Sequence, residues 1–154
     1  MFGIGQYQLS QWQESVLAQY RAAGRKVELV PFTYSSNFQP ILASATLTQP
    51  NTTDGEGDFW ICQTAMAAIN AATGAYVQYP NLTVQIRWDV SGRDFQDRPI
   101  HVVNLFGRGE LTHDWTAPQR IPPKSTWSTT LTNLDAAVNY NAFISFHGVK
   151  AIPN

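Results

Sequence analysis

Between residues 82 and 89 the chain alternates without a slip: Leu82, Val84, Ile86 and Trp88 are apolar, and Thr83, Gln85, Arg87 and Asp89 are polar. Successive side chains of a strand point to opposite faces, so this pattern predicts a strand with one face in a core and the other in water. A helix is excluded, because apolar residues at every second position would be scattered around its surface. Residues 90–94 read as a turn and 99–106 as a second extended run. Two later stretches alternate in the same way. In 126–134, Trp127, Thr129 and Leu131 share one face and Ser128, Thr130 and Thr132 the other. In 140–149, Tyr140, Ala142, Ile144 and Phe146 share a face, and Phe143 falls on the opposite one, open to a subunit contact.

Helical spacing is persuasive only in residues 10–23. Leu9, Trp12, Val16 and Tyr20 follow the 3/4 rule and form one apolar stripe, with Gln11, Glu14, Ser15 and Gln19 on the other side. Ser10 and Gln13 have capping-box spacing, Gly24 suits a C-cap, and Arg25 and Lys26 sit well against the carbonyl end. Short isolated helices are marginal in water, so the stripe calls for cover from its own domain or from a neighbour.

The other segments are shorter. Residues 27–34 are apolar and β-prone, and Pro31 confines that strand to an edge or a bulge. Residues 35–40 read as a loop, 41–48 as a short strand and 50–58 as a mobile, glycine-rich polar loop around Asp54. Residues 59–66 read as a strand running into a loop through the alanine-rich 65–72. Residues 107–115 and the three prolines of 118–125 read as irregular. Seven or eight short strands broken by glycine and proline turns predict a mainly β chain, a two-sheet β-sandwich or jelly roll with an N-terminal α-helical arm. The division expected is residues 1–26 for the arm and 27–154 for the sandwich.

Composition narrows the function. Ten basic and eleven acidic residues among 154 give a net charge of −1, and neither a basic excess nor a basic run marks a nucleic-acid groove or an anionic membrane surface. Met1 to Gln6 lack a basic n-region, and no apolar run approaches the roughly 20 residues of a membrane span. Cys62 is the only cysteine, set in an apolar run, and reads as a small buried hydrophobe. His101, His113 and His147 lack metal-site spacing, although His101 and His147 could meet across strands. Asp89, Asp94 and Asp97 gather around Gly92, but without an EF-hand pattern and among Arg87, Arg93 and Arg98. No nucleophile motif appears, and nothing selects a catalytic pair among Glu28, Glu56, Glu110 and the aspartates. The chain is therefore read as a non-enzyme, with no metal and no cofactor. Trp60, Trp88, Trp115 and Trp127 raise a sugar-stacking platform as an alternative. Trp88 and Trp127 share faces with aliphatic residues, which leaves Trp115 as the one whose local setting favours exposure.

The second half adds a pattern of its own. A strand ends in Trp88, followed by Gly92-Arg-Asp-Phe-Gln-Asp-Arg-Pro-Ile, then Asn104-Leu-Phe-Gly. Pro118-Gln-Arg-Ile-Pro-Pro-Lys-Ser-Thr comes next, then Leu131-Thr-Asn-Leu, and finally Ile144-Ser-Phe-His-Gly-Val-Lys. This order resembles small structural proteins encoded among the head and neck genes of tailed bacteriophages. The resemblance covers somewhat under half the chain, carries no catalytic signature, and transfers no catalytic residue. It implies a virion component, assembled in the bacterial host cytoplasm, that decorates, cements or reinforces the capsid, with a collar or head–tail connector subunit as the nearest variant. The partners implied are the major capsid protein or neck proteins and copies of itself. Leu9, Trp12, Val16, Tyr20, Asp54, Trp115 and Phe143 are the contact candidates, and a carbohydrate- or receptor-binding module is the alternative of another class.

Overall fold

The computed structural model describes residues 4–89, 91–107 and 111–154, with side chains from residue 11 onward. Among the described residues a helix, α1 (Ile4–Ala22), precedes nine strands: β1 (Val27–Ile41), β2 (Thr46–Thr52), β3 (Asp58–Asn70), β4 (Leu82–Trp88), β5 (Arg93–Asp94), β6 (Ile100–His101), β7 (His113–Ile121), β8 (Thr126–Asn133) and β9 (Tyr140–Pro153). A short helix, α2 (Val103–Phe106), lies between β6 and β7. The first sheet runs β1-β9-β3-β7 and the second β2-β8-β4-β5, with β6 also on β4.

This order has a simple origin. β1 pairs β9, β2 pairs β8, β3 pairs β7, and β4 pairs β5 and β6, all antiparallel. These are the rungs of one long nested hairpin. Rolling it so that β3 also meets β9, and β4 also meets β8, closes two sheets face to face. Apart from β4, β5 and β6, which share the second sheet, consecutive strands consequently alternate between sheets, which is the jelly roll expected from the strand count.

The core between the sheets is built on Trp127. Phe59 stacks on it at 6.3 Å, and Tyr34 and Phe146 meet it edge-on at 5.3 and 5.4 Å. Leu82, Val84 and Ile86 are fully buried beneath, as the alternation of β4 requires. On β3 the inward set changes parity, from Phe59 and Ile61 to Thr64, Met66 and Ala68, because a bulge at Cys62 inserts an extra residue. Gly148 faces that bulge: a Cβ there would lie 1.8 Å from the Trp60 carbonyl oxygen, so only glycine lets β9 pass. Cys62 is buried, and burial pushes its thiol up to about 12.

Helix α1 lies on the outer side of the first sheet, where Val16 and Tyr20 pack with Trp60, Val149 and Ala151. It ends in a Schellman pair: Gly24, at φ +70°, donates to the Arg21 carbonyl at 3.0 Å, and the Arg25 N–H donates to the Tyr20 carbonyl at 2.9 Å. The C-cap thus falls where the sequence puts it. The start does not: α1 begins at Ile4, so Ser10 is an interior residue and no capping box forms there.

Several other boundaries differ for identifiable reasons. Residues 35–40 are not a loop; β1 runs through them because Phe38 belongs to the core while Ser35 and Asn37 face out. Pro31 lies in this edge strand, as expected. The Asn37 carbonyl accepts from the Gln49 side chain at 2.6 Å, so odd-numbered β1 residues aim backbone groups away from β9, and Pro31, which lacks an N–H, shares that parity. Pro118 is likewise accommodated in the edge strand β7, which replaces the irregular segment expected there. The extended run expected over 99–106 shortens to β6 and then turns helical, since a helical turn buries both Val102 and Phe106.

Candidate assembly surfaces

The open part of the first sheet's outer face is laid out in rows. Asn37, Phe143 and Ala67 are direct neighbours across β1, β9 and β3, as are Ser35, Ser145 and Ala65, and Thr33, His147 and Gln63. Small side chains therefore flank Phe143, leaving a shallow groove of about 260 Å³ around its half-buried ring. His147 donates or accepts at both ring nitrogens, Nδ1 with Thr33 at 3.0 Å and Nε2 with Ser145 at 2.9 Å. Burial holds its pKa below the usual value, so the ring is neutral at pH 7. None of these nine side chains carries a formal charge at that pH.

The second sheet presents a hydroxyl face. Thr46 bonds Thr132 at 3.0 Å, Thr48 bonds Thr130 at 2.8 Å and Thr52 bonds Thr126 at 2.8 Å. Thr83, Gln85 and Arg87 of β4 extend the rows, where Arg87 lies directly opposite Asp94 of β5. Further charges sit at the ends and in the loops. Arg98 pairs with Asp97 at 3.1 Å in the β5–β6 link, and Asp89 accepts from Ser128 at the end of β4.

The contact candidates separate on the structure. Phe143 lies at the centre of the first face. Of the α1 stripe, Val16 and Tyr20 are consumed by the protein's own sheet, Trp12 is half-buried, and the Leu9 side chain lies outside the described residues. Asp54 does not tip a loose loop. Its carboxylate takes the Lys150 ammonium, its carbonyl accepts the Lys124 N–H at 3.0 Å, and Thr53 donates to the Pro122 carbonyl at 2.7 Å. The hydrogen bond from Lys150 holds the Asp54 carboxyl below its ordinary pKa. Trp115 is half-buried, donating its indole N–H to Thr64 at 3.0 Å and meeting Phe95 edge-on at 6.0 Å. It lines a cleft of about 320 Å³ with Gln96, His113, Asp114 and Gln119.

Sequence reasoning missed two polar centres. In one, buried Asp58 accepts from the Tyr20 hydroxyl and from Arg120 Nη2 at 3.0 Å, while Trp60 Nε1 donates to the Tyr20 oxygen at 2.9 Å. Burial, then the bond to Asp58, pushes the Tyr20 hydroxyl up to about 12. In the other, buried Lys150 caps one end of the core between Asp54, Glu56 and the Phe32 ring, 3.6 Å from the ring centroid. A signal for Lys150 was present: it has the inward parity of Ile144 and Phe146. No comparable signal marks Asp58, whose partners lie on α1 and β7.

Among the described residues no group of three or more His, Cys, Asp or Glu side chains is placed to hold a metal ion. His101 lies on the second sheet and His147 on the outer face of the first, so the two do not meet. Among the described residues no helix is long and apolar enough to cross a membrane.

No protein-family model matches the chain, and no curated protein does. Similar solved structures include the infectious bursal disease virus VP2 subviral particle, aligned over 82% of this chain and 32% of that chain at 14% identity and a TM-score of 0.36. The structure of the infectious bursal disease virus Gx strain aligns over 84% of this chain and 41% of that one, at 15% identity and a TM-score of 0.24. The chain thus spans about a third of one and about two fifths of the other, and likeness at this level assigns it no activity or partner.

Proposed function

We propose that this chain is a non-enzymatic structural subunit of a viral particle, which joins copies of itself or a neighbouring coat protein through the faces of its sandwich. The observation that carries the reading is the placement of charge. Charge is sparse on both faces: the nine side chains in rows around Phe143 carry none, with Asp114 the next residue along the Gln63 row on β7, and the hydroxyl rows hold Arg87 with Asp94 opposite it. Isolated soluble domains usually spread charge over exposed sheet faces, and interface cores are depleted of it. Fold alone would not support this, because jelly rolls serve unrelated functions.

The contact is small. Three strands about 4.8 Å apart and some seven residues long offer roughly 300 Å², well under the ~800 Å² per partner of a standard stable interface. Such a contact is weak between two free molecules and becomes effective when symmetry repeats it. Within this reading the finer assignment is a decoration, cement or minor capsid protein of a tailed bacteriophage, with a collar or connector subunit as the variant. Quantitative mass spectrometry of purified particles tests it. On the order of hundreds of copies supports decoration, about a dozen or fewer supports the neck, and absence from particles refutes the structural role.

One observation favours a second reading. The Trp115 cleft combines a fixed indole with planar amides and a carboxylate, the chemistry of a sugar subsite. Glycan binding that disappears in Trp115→Ala would support it.

A further inference from the structure

We infer that the cleft between the C-terminal end of α1 and the sandwich binds a multivalent oxyanion, such as a phosphoryl group or a polycarboxylate. The site stands apart from the sheet faces and does not rest on the assembly reading. The cleft measures about 490 Å³, within the range of small-ligand sites, and three structural elements converge on it. Arg25 and Lys26 reach it from the link between α1 and β1, Arg120 from β7, and Asp58 from the start of β3. Three cationic side chains thus line it with one carboxylate side chain, in a chain whose net charge is −1.

That carboxylate is already committed. Asp58 is buried and accepts from both Tyr20 and Arg120. Arg120 is half exposed and has five N–H donors; one bonds Asp58 at 3.0 Å and the Tyr20 oxygen also draws on the guanidinium, so the outer part of its planar fork remains for a ligand. Arg25 and Lys26 have no carboxylate within ion-pair distance among the described residues. The helix dipole does not account for the whole cluster. Arg25 and Lys26 sit at the carbonyl end of α1, but Arg120 approaches from another strand. The remaining lining includes Val27, Pro123 and Pro153, which lower the local polarity and strengthen each charge-assisted bond. An anion bridging Arg25 or Lys26 to Arg120 would also tie the α1–β1 link to β7 and hold the helix on its sheet.

The test uses the full chain and isothermal titration calorimetry, with pyrophosphate in one arm and citrate in another, each against sodium chloride at matched ionic strength. Saturable binding is expected in at least one arm, and which arm responds assigns phosphoryl or carboxylate chemistry. Arg25→Gln combined with Lys26→Gln should weaken it at least tenfold. Arg87→Gln combined with Arg93→Gln, which removes two exposed cations elsewhere, should leave it unchanged. No binding beyond the chloride control, or equal weakening in both double variants, would overturn the inference.

Discussion

Replacing Tyr20 with phenylalanine removes one oxygen atom from the junction of helix and sandwich and nothing else. The ring remains, including its edge-on contact with Trp60 at 6.1 Å. Two hydrogen bonds disappear. The bond to Asp58 is charge-assisted, a class with a net contribution of about 1.5–3 kcal/mol, and the Trp60 N–H is left buried without its acceptor, at about 1–3 kcal/mol. Arg120 still neutralises Asp58, and the helix can shift to relieve part of the loss. The expected destabilisation is therefore about 2–4 kcal/mol, or roughly 5–15 °C in melting temperature for a chain of this size.

Alkaline titration supplies an independent check. The Tyr20 hydroxyl ionises near 10 when unfolded and near 12 in the fold, so its contribution is complete below pH 10 and fades as pH rises toward 12. Subtracting the Tyr20→Phe curve isolates this loss from Cys62 and other groups titrating in the same range. Urea unfolding followed by tryptophan emission at pH 7 and pH 11 measures both quantities. A Tyr20→Phe protein within about 0.5 kcal/mol of wild type at pH 7 would refute the view that this network holds the helix in place.

Other consequences are as direct. Gly148→Ala places a methyl against the Trp60 carbonyl oxygen and should prevent or severely impair folding, read as loss of soluble protein or of a cooperative melt. The lowered pKa of Asp54 means that its pairing with Lys150 contributes above the unfolded value near 3.8 and is lost as pH falls below it; Asp54→Asn should remove this acid dependence from the melting temperature between pH 5 and 2. Phe143→Asp should cost the free protein only about 1 kcal/mol, because the ring is half-buried on an outer face, yet should abolish incorporation into particles.

The parts of the fold legible in the sequence are those where one periodicity governs one face. β4, β8 and β9 alternate cleanly because each has core on one side, and the Schellman end of α1 follows from Gly24 alone. Elsewhere long-range pairing overrides local signals. Ser35 to Pro40 are loop-like by type, but fifteen residues of β1 lie along β9, and the core takes Phe38 from among them. Pro118 says irregular locally and edge strand in context. The alanines of β3 become strand because Ser145, Phe143 and Ala142 of β9 pair with them, beyond a bulge at Cys62 that no pattern announces. Among the candidate contacts, Phe143 was visible as an aromatic on the wrong side of an alternating strand. The Asp54 loop is polar and glycine-rich, which predicts mobility, and its anchor, Lys150, is distant in sequence.

The most direct measurement uses Cys62 as a silent background. Buried, with its thiol pushed up to about 12, it should not react with maleimide at pH 7, so Ala67→Cys beside Phe143 supplies the reactive thiol. Its labelling rate would be compared in the free protein and in purified particles. The account predicts at least tenfold slower labelling in particles. Equal rates would contradict it, because the uncharged face would then remain open to solvent after assembly.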